Sequence, residues 1–242
     1  MTHELAIGDR SYSSWSLRGW LLFDAFGLPV TLRPYRLYSP EMEVFARDFA
    51  PARLLPALRL PEGQVIGETP AIAETLAERH PDAGLWPGSP EARAAARYLA
   101  AEMHAGFAAL RDHCPMNLKK SYADCAPGAA VLADLTRVEA RWSETRARFG
   151  TGGPWLFGAY SAADAFFAPV AARIAGYNLP VGRDAAAYVD AHLAHPSFRC
   201  WRALGQAEAE QPFYRRPWPE RPWPENSSPI RSPRISDGVN HS

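Results

Sequence analysis

Residues 81–91, PDAGLWPGSPE, hold three prolines and two glycines in eleven positions. Such a segment offers few amide donors and many turn formers, so neither a helix nor a strand runs through it. The chain therefore divides there, and the two sides read differently. Ahead of it, short apolar runs alternate with helical patterns. ELAIG (4–8) is a strand. Leu17, Trp20, Leu21 and Ala25 recur at helical spacing from Ser14 to Phe26, and Gly27, Leu28 and Pro29 end that helix. VTLRPYRLY (30–38) alternates as a strand, with Pro34 marking an edge position. PEMEVFARDFA is a short helix. LLPALRL and QVIGE form a hairpin about the turn PEG, and TPAIAETLAERH is a helix capped by Thr69 with Pro70 at its first position. The order is β-α-β-α-β-β-α.

Beyond residue 90 the pattern is helical throughout. EARAAARYLAAEMHAGFAALR (91–111) is rich in alanine and strong helix formers. Further helices are expected near 129–148, 162–176, 185–193 and 197–210, with no strand. The expected organisation is an α/β domain over 1–81, a linker over 82–90, an all-α domain over 91–212 and a proline-rich tail over 213–242. RPWPE occurs twice in that tail, at 216–220 and 221–225. Its prolines favour an extended path that wraps the body or dangles from it, and 226–242 is expected to be partly disordered.

Charge narrows the partners. Lys+Arg and Asp+Glu each total 26, which supplies no electrostatic motive for nucleic acid or an anionic membrane. No run approaches the roughly 18 apolar residues of a membrane span, and MTHELAIGDR has no basic-then-apolar leader pattern. Cys114, Cys125 and Cys200 form no CxxC pair, which points to reduced thiols in a cytoplasm. His192 and His195 share a helix but lack a third ligand nearby, so no metal is expected.

Several stretches carry chemistry. SYSSWSLRGW (11–20) places Ser13 and Ser14 at the start of the first helix, where unpaired amides favour an anion. In LLPALRL a proline stands at the head of a strand, compatible with a cis bond that turns Leu55 outward or with an ordinary edge proline. Glu68 and Thr69 of GETPAI open a helix whose start suits a carboxylate. Ser161 and Asp164 form a capping box with Asp in place of Glu, a folding device. GTGGPWLFG lacks the ending of a phosphate loop. On the 91–111 helix, His104, Phe107, Ala108 and Arg111 fall at i, i+3, i+4 and i+7 and share one face, lining a cleft or packing as core.

In this order and spacing, YSSWSLR, LLPAL, GETPAI, SAADAFFAPV and AHPSFRCW resemble the cytosolic glutathione S-transferases over residues 1–212, nearest to serine-type, zeta-like bacterial members. The resemblance implies a thioredoxin-like N-terminal domain, a helical C-terminal domain, glutathione as co-substrate between them, and a homodimer. It places Ser13 or Ser14 at the glutathione sulfur, with the family's alignment favouring Ser13 and helix phase allowing Ser14. Trp15 would adjoin the sulfur, Leu55 ahead of cis Pro56 would pair with the cysteinyl backbone, and Glu68 and Thr69 would hold the γ-glutamyl end. His104, Phe107, Arg111 and Met116 are candidates for the side of the electrophile, where an arginine suits a carboxylate. Arg18 is expected to pair with a carboxylate across the domain.

The activity implied is conjugation or isomerisation of a small electrophile by the glutathione thiolate. Two alternatives stand beside it. One is a maleylacetoacetate-isomerase-like enzyme, although Trp15 stands where the zeta class has cysteine. The other is a non-catalytic binding protein of the same fold, suggested by Pro70 and by the tail. A disulfide oxidoreductase is disfavoured, because no cysteine lies between residues 9 and 20 to exchange with a disulfide.

Overall fold

The computed structural model describes residues 2–224 and 236–237. Two parallel strands need a crossover, and the chain supplies one: β1 (His3–Ile7) leads through helix α1 (Ser14–Asp24) to β2 (Val30–Pro34), which pairs parallel to β1 with Leu5 opposite Leu32. Helix α2 (Glu41–Asp48) follows. β3 (Ala57–Arg59) and β4 (Val65–Ile66) then add antiparallel to the other edge of β1, turning at Gly63, whose φ of 98° suits glycine. Helix α3 (Thr69–Arg79) closes this unit. The sheet order is β4-β3-β1-β2, a mixed sheet of thioredoxin-like pattern. The outer edge of β2, read as an edge from Pro34, is extended by the two-residue strand Ser236–Asp237. The tail residues 225–235 and 238–242, within which partial disorder is expected, lie outside the described residues.

The helical region holds α4 (Pro90–Ala105), α5 (Ala108–His113), α6 (Ala129–Phe149), α7 (Ala162–Tyr177), α8 (Arg183–Ala194) and α9 (Pro196–Gln206). Three expectations are corrected here. The single helix over 91–111 is two: Gly106 is extended and Phe107 left-handed at φ 58°, so the helix stops and restarts. The last helix ends at Gln206, four residues early. The region also contains a small antiparallel pair, Ser121–Tyr122 with Glu220–Arg221. That pair anchors the tail, which wraps the body. Trp223 is buried, with its ring where a Cβ on Gly176 would sit 3.2 Å away, and Arg202 lies 4.9 Å over it. Trp218 packs against His113 and Tyr177. No helix among the described residues is long and apolar enough to cross a membrane.

Helices α1 and α7 form the centre. α7 reads AADAFFAPVAARIAGY, apolar on every side, and is buried nearly throughout, as a helix without a polar face must be. α1 is buried along its whole length apart from half-exposed Trp15, held between the sheet and α7. Two glycines permit the close approaches that set the site. A Cβ at Gly19 would meet Pro56 at 2.8 Å, and one at Gly205 would meet the Ser11 hydroxyl at 2.7 Å. Ser11 donates to the Gly205 carbonyl and Trp201 Nε1 to the Arg10 carbonyl, so α9 fixes the loop that precedes α1.

Candidate functional site

The loop ahead of α1 is tightly tied. Ser13 is the cap residue: its hydroxyl accepts from Ser16 N at 3.3 Å and donates to Ser16 Oγ at 2.8 Å. Ser16 Oγ in turn accepts from Gly8 N. Ser14, the first helical residue, differs. Its hydroxyl accepts from Arg173 Nη2 at 3.4 Å, and the described residues give its own proton no acceptor. Both serines line a cleft of about 640 Å³ that opens between the sheet unit and the helical region.

On the sheet side of the cleft lie Trp15, Leu55, Pro56, Glu68 and Thr69. The Leu55–Pro56 bond is cis, and no backbone hydrogen bond among the described residues engages Leu55. The expected roles at α3 shift by one residue. Glu68, not Thr69, is the residue before the helix, and Pro70 is second in it. Glu68 sits at φ 61°, a left-handed conformation that costs an ordinary residue about 1–3 kcal/mol and is commonly kept at ligand sites. Thr69 is 1% exposed, and its hydroxyl has no partner among the described residues. An orphaned buried hydroxyl beside a cleft is a donor or acceptor waiting for one.

The helical side is cationic. Arg173, in the middle of apolar α7, donates Nε to the Cys114 carbonyl, Nη1 to the Pro169 carbonyl and Nη2 to Ser14. Burial pushes its guanidinium down to about 10, with Arg111 adding to the shift and Tyr177 opposing it, so it is charged at neutral pH. Arg111 donates to the His104 carbonyl and lies 5.5 Å from the Trp15 ring. Arg18 corrects an expectation: it meets no carboxylate among the described residues. It is 1% exposed, stacked 4.5 Å over Trp15 and 5.6 Å from Phe166, and its Nε and Nη1 are unpartnered among the described residues. Burial first, then Arg173 and Arg111, holds its pKa well below the usual value. Among the described residues the hydrogen bonds of Arg111 and Arg173 go to carbonyls and a hydroxyl and not to the carboxylates of Glu68 and Asp112, which line the same cleft.

Of the four residues expected on the electrophile side, Arg111 and Met116 line the cleft and His104 and Phe107 do not. The break at Gly106 rotates Phe107 away into the core. His104 stands behind the wall instead, edge-on to Trp15 at 5.0 Å, with Nε2 3.1 Å from the Glu68 carboxylate. Burial keeps its pKa below the ordinary value, with Arg18 and Arg111 adding to the effect and Glu68 opposing it. Sequence reasoning missed several lining residues: Tyr12, Tyr38, Arg173, and from the tail Phe213, Tyr214 and Arg216. Tyr12 stacks on Tyr214 at 4.6 Å, and Gln211 bonds Tyr12, Asp9 and Leu37, so the tail closes one end of the cleft. His192 and His195 hold no common site: His195 Nδ1 caps α9 by accepting from Ser197 N, while His192 is buried among Trp155 and Tyr188.

The helix start, the Ser14 hydroxyl and the Arg173 guanidinium meet at the cleft, with Arg111 lining it nearby. Each lowers the energy of an anion there, and for a thiol the anion is the nucleophile.

Residues 12–79 match the family model described as Glutathione S-transferase, N-terminal domain. Solved structures share the whole architecture. A glutathione transferase homolog from Burkholderia gl BGR1, with bound glutathione, superposes with a TM-score of 0.66 at 21% identity, covering 86% of this chain and all of that one. Glutathione transferase Omega 1C from Trametes versicolor gives 0.65 at 18%, covering 85% and 93%. A maleylacetoacetate isomerase from Anaeromyxobacter dehalogenans 2CP-1, with glutathione in its active site, gives 0.61 at 24%, covering 86% and 98%. No curated protein matches by sequence.

Proposed function

From a chain whose residues 12–79 match the glutathione S-transferase N-terminal domain model and whose fold is that of solved glutathione transferases, we propose a glutathione-dependent transferase. It stabilises the glutathione thiolate for attack on a small electrophile. The observation that carries this reading is the cleft-lining hydroxyl of Ser14 at the start of α1, which accepts from the buried Arg173 guanidinium. In the proposed mechanism glutathione lies along the sheet side. Leu55 N–H and C=O pair with its cysteinyl backbone. Thr69 and the amides that open α3 hold the γ-glutamyl carboxylate, and Glu68, oriented by His104, takes the γ-glutamyl ammonium.

The sulfur then lies at Ser14. Ser13 spends its hydroxyl on the cap and on Ser16, whereas Ser14 accepts from Arg173 and has its proton free to donate to a thiolate. No general base is needed, since the site only has to favour the anion. Holding both substrates side by side supplies the remaining rate enhancement. Arg111 and Arg216, on the open side of the cleft, favour an electrophile bearing a carboxylate. The same feature supports isomerisation of an unsaturated acid as a second reading, with the isomerase from Anaeromyxobacter dehalogenans 2CP-1 as its structural parallel. A homodimer and a reducing compartment belong to this reading; sedimentation of the purified chain tests the former.

The decisive experiment is calorimetry with glutathione followed by the thiolate absorbance of the complex across pH. Bound glutathione should ionise about one to two units below the free thiol, and Ser14→Ala should move it back up. Absence of binding would favour the non-catalytic alternative. Unchanged ionisation in Ser14→Ala would remove the serine's role.

A further inference from the structure

Away from the serines, on the far side of the cleft wall, the two ends of a loop bring three soft ligands together. His113 ends α5, Cys114 follows it, and Cys125 returns at the loop leading to α6. Cys125 Sγ lies 3.8 Å from His113 Nε2, and both atoms and Cys114 Sγ fall within 4.8 Å of one another. Cys114 is 0% and Cys125 8% exposed, and both are free thiols. Two buried cysteines alone would pack as small apolar groups. The imidazole aimed at them is what makes the set a donor site.

We propose that His113, Cys114 and Cys125 bind one thiophilic d10 cation of the Zn(II) type. With metal–sulfur distances near 2.3 Å and metal–nitrogen near 2.0–2.1 Å, sulfur and nitrogen bound to one ion stand about 3.6–3.8 Å apart. The observed 3.8 Å between Cys125 Sγ and His113 Nε2 falls in that range, and the three donor atoms lie within 4.8 Å of one another. Thiolate and imidazole select zinc-like ions over magnesium or calcium, which prefer oxygen. Binding deprotonates the two thiols, each proton leaving to solvent as a metal–sulfur bond forms, so a dication held by two thiolates and a neutral imidazole is electrically balanced.

The surroundings suit such an ion. The Trp218 ring covers His113 at 5.3 Å, bringing the tail over the site. Arg173 binds the Cys114 carbonyl and, through Nη2, Ser14, while Pro115 and Met116 line the cleft next along the chain. An ion here would brace the wall that carries Arg173. The inference rests on this cluster alone and stands whether or not the chain binds glutathione.

The test uses the reduced full-length protein dialysed against Zn(II), with Co(II) as a spectroscopic stand-in. The expected result is one zinc retained per chain and a cobalt complex with a thiolate-to-metal charge-transfer band. Cys125→Ser and His113→Gln should each weaken zinc binding at least about tenfold, and Cys200→Ser should leave it unchanged. Differential alkylation of the unmutated protein reads the site without relying on any variant folding: zinc should slow alkylation of Cys125, the most exposed of the three thiols, relative to the zinc-free protein. Zinc retention by wild type no better than by the Cys114→Ser/Cys125→Ser double variant would overturn the site, as would a cobalt complex without the thiolate band or a rate of Cys125 alkylation unchanged by zinc.

Discussion

Helices α1 and α7 both begin with serine, and they use it in opposite ways. At the start of α7, Ser161 donates its hydroxyl and its amide to the Asp164 carboxylate, which also accepts from Leu156 N and Tyr188 Oη. Every polar atom there has an internal partner, and Asp164 is fully buried. At the start of α1 the accounts stay open. Ser13 is consumed by capping, but Ser14 keeps a free proton, Thr69 nearby has an orphaned hydroxyl, and Arg18 stacks on aromatics without an anion. A closed polar set makes a fold more stable, because removing one member strands the rest. An open set costs stability and is retained where a ligand completes it.

Breaking the closed set should have the largest effect. Asp164→Ala leaves four donors without an acceptor and should cost about 3–5 kcal/mol, read as a lower urea midpoint. The next effect also lies beside α7. Burial, followed by His195 and Arg146, holds His192 down to about 3 against an unfolded value near 6.5. The unfolded chain thus takes up a proton between those values that the folded chain refuses. This contribution is intact above pH 6.5 and is lost as pH falls toward 3; His192→Leu should flatten that part of the decline in urea midpoint with pH.

The open set should respond in activity instead. Ser14→Ala is expected to lower kcat/KM for thiol transfer about tenfold, or ~1.4 kcal/mol, with little change in urea midpoint. Ser13→Ala should do the reverse, losing about 1 kcal/mol of stability with its cap. Equal responses in the two variants would erase the distinction between the sites. The smallest effect belongs to Thr69→Val, which should weaken glutathione binding about 3- to 10-fold by calorimetry while leaving stability intact.

Much of this arrangement was legible beforehand where the signal is local. The β-α-β-α-β-β-α order, the hairpin at PEG and the Ser161–Asp164 box are each written within a few residues. The errors fall where one residue redirects the chain. Gly106 and left-handed Phe107 end a run whose alanines favour continuing, so the helical face assigned to His104 and Phe107 never forms. Arg173 was missed because its partner Ser14 lies 159 residues away. The available clue was an arginine in a helix otherwise apolar on every side, which must find polar partners when buried. The tail's place at the cleft and the meeting of Cys125 with His113 have no local mark at all.

Taken alone, then, the order of residues determined the β-α-β-α-β-β-α run of the first 80 residues, most of the later helices, and which serines head a helix, because propensity, capping and turn chemistry act over a few residues. The packing of α1 against α7 decided that Ser14 meets Arg173 while Ser13 is held in its cap, and that Arg18 stacks on aromatic rings. Those outcomes depend on long-range burial in a densely packed interior, where each polar group must take whichever partner the tertiary fold brings within reach.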